Sequence, residues 1–265
     1  MKPLEQLSKK ELSKIKIIAF DVDGTLTVSK TPITEGMANL IKELVKKKIV
    51  IAIAGGSFKQ METQFLPPFL NDEAMLPFIH NFTLLPTSGS QRYEYDEEKR
   101  EWHMVDKEPM DSAVKDRAKK LLQEVIDNPI YEIPPNPIGS IIEDRDTQIT
   151  FTPNGQQAPV EVKMKFDPDR KKREKIKAML EPQLPELSIL INGTSSIDIL
   201  PKGFNKAVGL TRFLNKIGFN KSDVIFVGDG LFPGGNDYSV YEAGFNTIAV
   251  KNPQETEAII KEWIS

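Results

Sequence analysis

Lys16-Ile17-Ile18-Ala19-Phe20-Asp21-Val22-Asp23-Gly24-Thr25-Leu26-Thr27 decides the fold. A short apolar run, β-branched and aromatic from Ile17 to Phe20, stops abruptly at two carboxylates, a glycine and two threonines. Such a run reads as a strand buried on both faces, with Asp21 at its carboxyl end. In open parallel sheets the crevice beyond the strand ends is where ligands sit. Two acids one residue apart there would repel each other, and a hard divalent cation with oxygen ligands relieves the repulsion. Gly24 permits the tight turn, and Thr25 and Thr27 supply hydroxyls.

The same grammar repeats along the chain. Thr34 is placed to cap a helix whose Met37, Leu40, Ile41, Leu44 and Val45 recur at helical spacing. Lys46-Lys47-Lys48 closes it, where cations suit the negative end of the helix dipole. Ile49 to Ala54 reads as a second buried strand ending in Gly55-Gly56-Ser57, with a helix over 59–65. Strand, helix, strand, helix implies a parallel sheet with right-handed crossovers. A third strand is expected over Phe78 to Leu85. Near the other end, a helix from Lys206, a buried strand Val224 to Val227, a strand from Asn246 and a closing helix restore the pattern.

Between these halves the composition changes. Residues 91–110 are strongly charged, with Tyr93, Tyr95 and Trp102 alternating as in a hairpin. An amphipathic helix over 113–126 and a proline-broken stretch at 133–137 follow. Strands at 140–145, 148–152 and 187–191 and a charged helix at 170–180 complete an α+β unit with antiparallel strands. The expected architecture is therefore a Rossmann-like α/β core of residues 1–90 and 193–265, interrupted by an α+β lid of residues 91–192. Residues 1–15 form a polar lead-in.

Bulk properties narrow the function. The chain has 265 residues, 39% of them hydrophobic and 28% charged, an ordinary globular balance. A net charge of −3 gives no reason to expect a nucleic-acid surface. With no cysteine, disulfides and thiolate metal sites are excluded, and a cytoplasmic location is the expectation. No stretch approaches the ~20 apolar residues of a membrane span.

The chemistry collects in four stretches, each at a strand end or a helix start. They are Asp21-Val22-Asp23-Gly24-Thr25, Gly55-Gly56-Ser57, Lys202-Gly203-Phe204-Asn205-Lys206, and Gly228-Asp229-Gly230 through Gly235-Asn236-Asp237. A hydroxyl and free N–H groups at a strand-to-helix turn cradle phosphate. A lysine opening a helix opposes the dipole and serves an anion. Clustered acids in a glycine-rich loop suit a divalent metal. Together they fit phosphoryl transfer through an aspartyl-phosphate.

In this order the four stretches resemble the haloacid dehalogenase superfamily, in the branch whose α/β lid lies between the second and third motifs. That branch holds sugar phosphatases and eukaryotic-type phosphomannomutases. Phe20 to Thr27, Ser196-Ile197-Asp198 through Lys206, and Pro233 to Asp237 resemble the mutases most. The resemblance implies Asp21 as the nucleophile and a magnesium ligand, and Asp23 as general acid/base with its main-chain carbonyl on the metal. It implies Lys206 paired with Asp21 and the phosphate, and Gly56 and Ser57 on the phosphoryl oxygens. It further implies Asp229 on magnesium with Asn236 and Asp237 supporting the metal shell. Arg145 and Asp198 are implied at the substrate from the lid side.

Two departures separate this chain from the mutases. They grip the far phosphate of a sugar bisphosphate with several lid arginines, and two of those places fall near Ile138 and Gln156 here. The phosphatase form Gly-Asp stands at Gly228-Asp229, where the mutases have Gly-Asn. The expectation is a magnesium-dependent phosphatase of a small phosphorylated metabolite, a sugar phosphate first. The alternative is a phosphomannomutase. Mutases of this type often dimerise through the lid, but this lid is too divergent to carry that over, and a homodimer stays one of the open oligomeric states.

Overall fold

The computed structural model describes residues 14–28, 31–70 and 72–265, so most of the expected lead-in lies outside the described residues. The chain divides into two compact units: one of residues 1–107 and 205–265, the other of residues 108–204.

The first unit is built on β1, Ile17–Asp21. Ile17 to Phe20 are at most 1% exposed, so both faces of the strand are covered. Alternation sends Ile18 and Phe20 into one apolar layer and Ile17 and Ala19 into the other. β1 pairs in parallel with β2 (Ile49–Ile53) on one side and β10 (Val224–Gly228) on the other. β3 (Phe82–Leu85) and β11 (Asn246–Ala249) extend the parallel set. The layer under Ile18 and Phe20 comes from α1 (Glu35–Val45), α2 (Phe58–Gln64) and α8 (Pro253–Ile264), through Met37, Ile41, Met61 and Ile259. The opposite layer comes from α6 (Lys206–Ile217), through Leu210, Phe213 and Leu214, and from Val240 of the short α7 (Tyr238–Glu242).

The Thr34 cap forms as expected, its hydroxyl accepting from the Met37 N–H at 3.2 Å. Thr34→Ala is expected to lower stability by about 1 kcal/mol, seen as a lower urea midpoint with an unchanged slope. Among the three lysines after α1, Lys47 and Lys48 donate to the carbonyls of Ile264 and Ile15, and Lys46 pairs with Glu43.

Three expectations need correction. Residues 76–81 form a 3-10 helix and only Phe82 onward is strand, because Pro77 has no N–H for a ladder and suits a first helical turn. The hairpin β4 (Gln91–Asp96) and β5 (Glu101–Lys107) was expected at the start of the lid; it belongs to the large sheet. β4 pairs antiparallel with β3, giving seven strands in the order β11-β10-β1-β2-β3-β4-β5. Aromatic contact explains the docking: Tyr93 stacks on Phe58 at 3.8 Å, and Trp102 meets Phe82 edge-on. Third, residues 196–201, expected in the second core segment, are strand β9 of the other unit. The boundaries therefore fall at 107/108 and 204/205 instead of near 90 and 192.

The second unit is a four-stranded antiparallel sheet, β6-β7-β9-β8, of Ile142–Asp144, Ile149–Phe151, Ser196–Pro201 and Leu187–Asn192. Ile149, Phe151, Ile197 and Ile199 point to one face, packed with Leu122 and Val125 of α3 (Ser112–Asp127) and Ile176 and Leu180 of α5 (Lys171–Leu180). A short α4, Val160–Phe166, precedes α5 and had no signature in the sequence reading. With a period of two, the opposite face carries Thr150, Thr152, Ser196 and Asp198. No helix among the described residues is long and apolar enough to cross a membrane.

Candidate active site

Three parallel strands of the first unit, β1, β2 and β10, lie side by side, and the carboxyl ends of β1 and β10 deliver acids. Asp21 is the last residue of β1 and is buried. Its Oδ1 accepts from the Val22 N–H at 2.8 Å and from Lys206 Nζ at 2.6 Å. Its Oδ2 is buried and meets no donor among the described residues. Lys206 opens α6 behind its cap Asn205, and its side chain is 1% exposed. The second partner of Lys206 is Asp237 Oδ1, also at 2.6 Å. Asp237 Oδ2 accepts from the Gly230 N–H at 2.9 Å.

Asp229 follows β10 directly and is tied to the first loop by Thr25. The Thr25 hydroxyl accepts from the Asp229 N–H at 3.0 Å and faces Asp229 Oδ1 at 3.3 Å. Gly24, at φ +87°, turns beneath the same carboxylate, where a Cβ would collide with Asp229. Carboxylate oxygens of Asp21, Asp229 and Asp237 lie within 4.8 Å of one another. Asp23 is not in that cluster. Asn236 is exposed, its amide oxygen lying over Gly230.

Electrostatics follow from this crowding. Burial pushes the Asp21 carboxyl well above the usual carboxylate range; the Asp237 and Asp229 charges push it further, and Lys206 offsets them only in part. Asp229 is raised by burial and by Asp237. Burial works against the Lys206 charge, but Asp21 and Asp237 outweigh it and hold the ammonium above its ordinary value. Three clustered acids against one lysine, with one buried carboxylate oxygen lacking a donor, form a hard oxygen donor set that fits a divalent cation.

The second expected stretch follows β2. Ser57 caps α2, its Oγ accepting from the Gln60 N–H at 3.3 Å, which leaves the hydroxyl hydrogen free to donate elsewhere. Gly56 and Asp23 line one cleft together with Val22, Thr27 and Gln60.

The remaining expected residues sit in the second unit. Asp198 on β9 is buried; its Oδ1 accepts from Thr150 Oγ1 and its Oδ2 from Asn192 Nδ2, both at 2.8 Å. Gln148 continues the chain by donating to Thr150 Oγ1. Arg145 follows β6, and its guanidinium donates twice to Glu143 Oε2, at 2.9 and 2.6 Å. Sequence reading passed over Lys163, a buried lysine of α4 that donates to the Gln156 carbonyl at 2.6 Å. Nor do the sequence patterns show the contacts of Thr25 with Asp229 and of Asp237 with Lys206. Paired hydroxyl and carboxylate positions in separate loops leave no local pattern from which to infer those contacts.

This geometry defines a class: an enzyme of the haloacid dehalogenase kind, a phosphotransferase or phosphatase with its carboxylates at the ends of a parallel sheet. Comparison with known proteins narrows it. Residues 37–265 match the eukaryotic phosphomannomutase family, and the chain belongs to that family. It is 31% identical over 250 residues to the phosphomannomutase of Encephalitozoon cuniculi, covering 91% of this chain and 90% of that one. It is 28% identical over 254 residues to that of Saccharomyces cerevisiae, covering 93% of each. Among solved structures, Plasmodium falciparum IMP-nucleotidase superposes with a TM-score of 0.69 at 20% identity, over 95% of this chain and 71% of that one. Aspergillus fumigatus trehalose-6-phosphate phosphatase does so with 0.54 at 15% identity, over 97% and 96%. Both structural likenesses concern the fold.

Proposed function

We propose that this chain is a magnesium-dependent phosphatase of a small sugar phosphate that works through an aspartyl-phosphate on Asp21. The buried Asp21–Lys206–Asp237 arrangement carries the reading, since it holds a carboxylate in one rotamer and supplies a fixed positive charge beside it. Asp21 attacks phosphorus and the sugar oxygen leaves, taking its proton from Asp23. Asp23 then removes a proton from water, which attacks the acyl phosphate and frees Asp21. Lys206 meets the charge on the transferred phosphoryl group, and the Ser57 hydroxyl and Gly56 N–H hold its oxygens. Asp21, Asp229 and the Asp23 carbonyl would hold magnesium, with Asp237 and Asn236 behind them; the ion supplies neutralisation of phosphoryl charge. The enzyme is read as cytoplasmic.

Water as the acceptor is favoured by the second unit. The places of two mutase lid arginines fall near Ile138 and Gln156, neither of them cationic, and Arg145 is engaged by Glu143. A mutase must hold a phosphate at either end of its substrate and exclude water. Two observations favour the second reading, phosphomannomutase: the family and the relatives above carry that name, and Lys163 keeps a buried cation beside Gln156.

The deciding assay uses the protein with magnesium and mannose 1-phosphate or glucose 1-phosphate, with and without a trace of hexose bisphosphate. Free phosphate without hexose 6-phosphate is the expected outcome. Bisphosphate-dependent 6-phosphate with little free phosphate replaces it with the mutase. For Arg145→Ala, a rise in KM of about tenfold with kcat little changed is expected; an unchanged KM for every substrate removes Arg145 from the substrate site.

A further inference from the structure

The turn after β3 has three consecutive residues in the left-handed region: Thr87 at φ 51°, Ser88 at 58° and Gly89 at 82°. A β-branched residue such as Thr87 is rarely found there, and strain of this kind persists only where surroundings enforce it. All three residues are buried. Ser90 Oγ braces the turn on the Thr87 carbonyl and hydroxyl, at 2.8 and 2.7 Å.

The turn touches two parts of the phosphoryl-transfer machinery. On one side, the Thr87 N–H donates to the Gly56 carbonyl at 2.8 Å and the Ser88 N–H to the Ala54 carbonyl at 2.7 Å. A trans peptide points its N–H opposite to its carbonyl. Fixing the Gly56 carbonyl on Thr87 therefore fixes the plane of the peptide that joins Gly56 to Ser57, the residues whose N–H and hydroxyl hold the phosphoryl oxygens. On the other side, the turn lies against α6 at Gly209, three residues after Lys206. A Cβ on Gly209 would lie 2.6 Å from the Ser88 carbonyl oxygen and 2.7 Å from Gly89 Cα. Backbone meets backbone there, so α6 sits as close to the sheet as this turn allows.

We infer that the left-handed Thr87–Gly89 turn is a positioning element that sets Lys206 and the Gly56–Ser57 peptide relative to each other. It acts by its backbone shape. Its side chains do not meet the substrate. The inference rests on the roles proposed above for Lys206, Gly56 and Ser57.

The test varies backbone preference at residue 88 separately from bulk and chemistry. Ser88→Gly and Ser88→Asn keep the left-handed conformation, the second adding volume; Ser88→Val opposes it. Steady-state kinetics with mannose 1-phosphate and magnesium, thermal melts and a crystal structure of the valine variant are the readouts. Folded Ser88→Val is expected to lose kcat about 10- to 100-fold with KM within a factor of about three, as for misplacement of a catalytic group by about 1 Å. Its Lys206–Asp21 distance should exceed about 3.5 Å, against 2.6 Å in the wild type. The glycine and asparagine variants should stay near wild type. Gly209→Ala pushes on the same contact from the helix side and should repeat the kcat loss, so it serves where Ser88→Val does not fold. A folded valine or alanine variant with wild-type kcat and an unmoved Lys206 overturns the inference. So does a glycine variant as impaired as the valine one, which would assign the hydroxyl itself the function. If the wild type turns over no phosphomonoester, the proposed function fails, and the Lys206–Asp21 distance in the variants alone decides the inference.

Discussion

Asp21→Asn is expected to abolish turnover while leaving the metal-free protein as stable as the wild type or more so. Removing a nucleophile costs about 10⁴-fold or more in kcat, because an amide cannot form the acyl phosphate. The stability half follows from the crowding. Burial, Asp237 and Asp229 hold the Asp21 carboxyl well above its ordinary range despite Lys206. A carboxyl raised in the folded state costs nothing below its unfolded pKa of about 4, where both states are protonated. Stability from this group then falls as pH rises through the folded value. Asparagine has no proton to lose, so its urea midpoint in EDTA should vary less across that window. Added magnesium should raise the wild-type melting temperature more than that of the variant. Unchanged turnover in Asp21→Asn would sink the covalent mechanism.

Lys206→Met should damage both activity and stability. The ammonium lies between two buried carboxylates at 2.6 Å each. Methionine fills much of the volume but leaves Asp21 and Asp237 without their cation, and stranding buried charge in this way costs about 3–5 kcal/mol. Loss of a fixed positive charge at the transferring group lowers kcat by about 10²–10³-fold or more. The pH dependence has a definite sign. Lys206 is raised above its ordinary pKa, so its contribution is complete below about pH 10 and is lost only as pH rises through the folded value. Between pH 6 and 9 the gap between wild type and variant should not shrink on the lysine's account. At acid pH it should narrow as the Asp21 carboxyl, already raised by burial, takes up its proton. Urea titrations at several pH values, without metal, measure it; a gap under about 1 kcal/mol at pH 7 would mean that the pair is far better solvated than its burial implies.

The two variants share one cluster, and much of that cluster was legible from residue order. Asp21 reads as a strand-end carboxylate because the four residues before it are apolar, three of them β-branched or aromatic. Lys206 reads as a helix-opening lysine because the apolar spacing of a helix starts there; the structure adds Asn205 as its cap. Asp237 was different. The loop pattern shows an acid but not which cation it faces; the structure turns one of its oxygens to Lys206 and the other to the Gly230 N–H. The hairpin of residues 91–107 shows the same limit. Alternation at Tyr93, Tyr95 and Trp102 marks two strands, but the partner sheet is chosen by Phe58 and Phe82, distant in sequence. β9 alternates clearly as Ser196-Ile197-Asp198-Ile199, yet it joins β7 and β8 in the second unit.

The sequence by itself determined the buried parallel strands, the helices that cover them and the four stretches where carboxylates, hydroxyl and lysine gather. Those features are local: hydrophobic period, capping residues and glycine turns act within a few positions. Only the tertiary structure decided where the units divide, that Asp237 engages Lys206, and that a left-handed turn lies between Gly56 and Gly209. Each of these depends on which distant segments pack together, and a burial pattern leaves that pairing open.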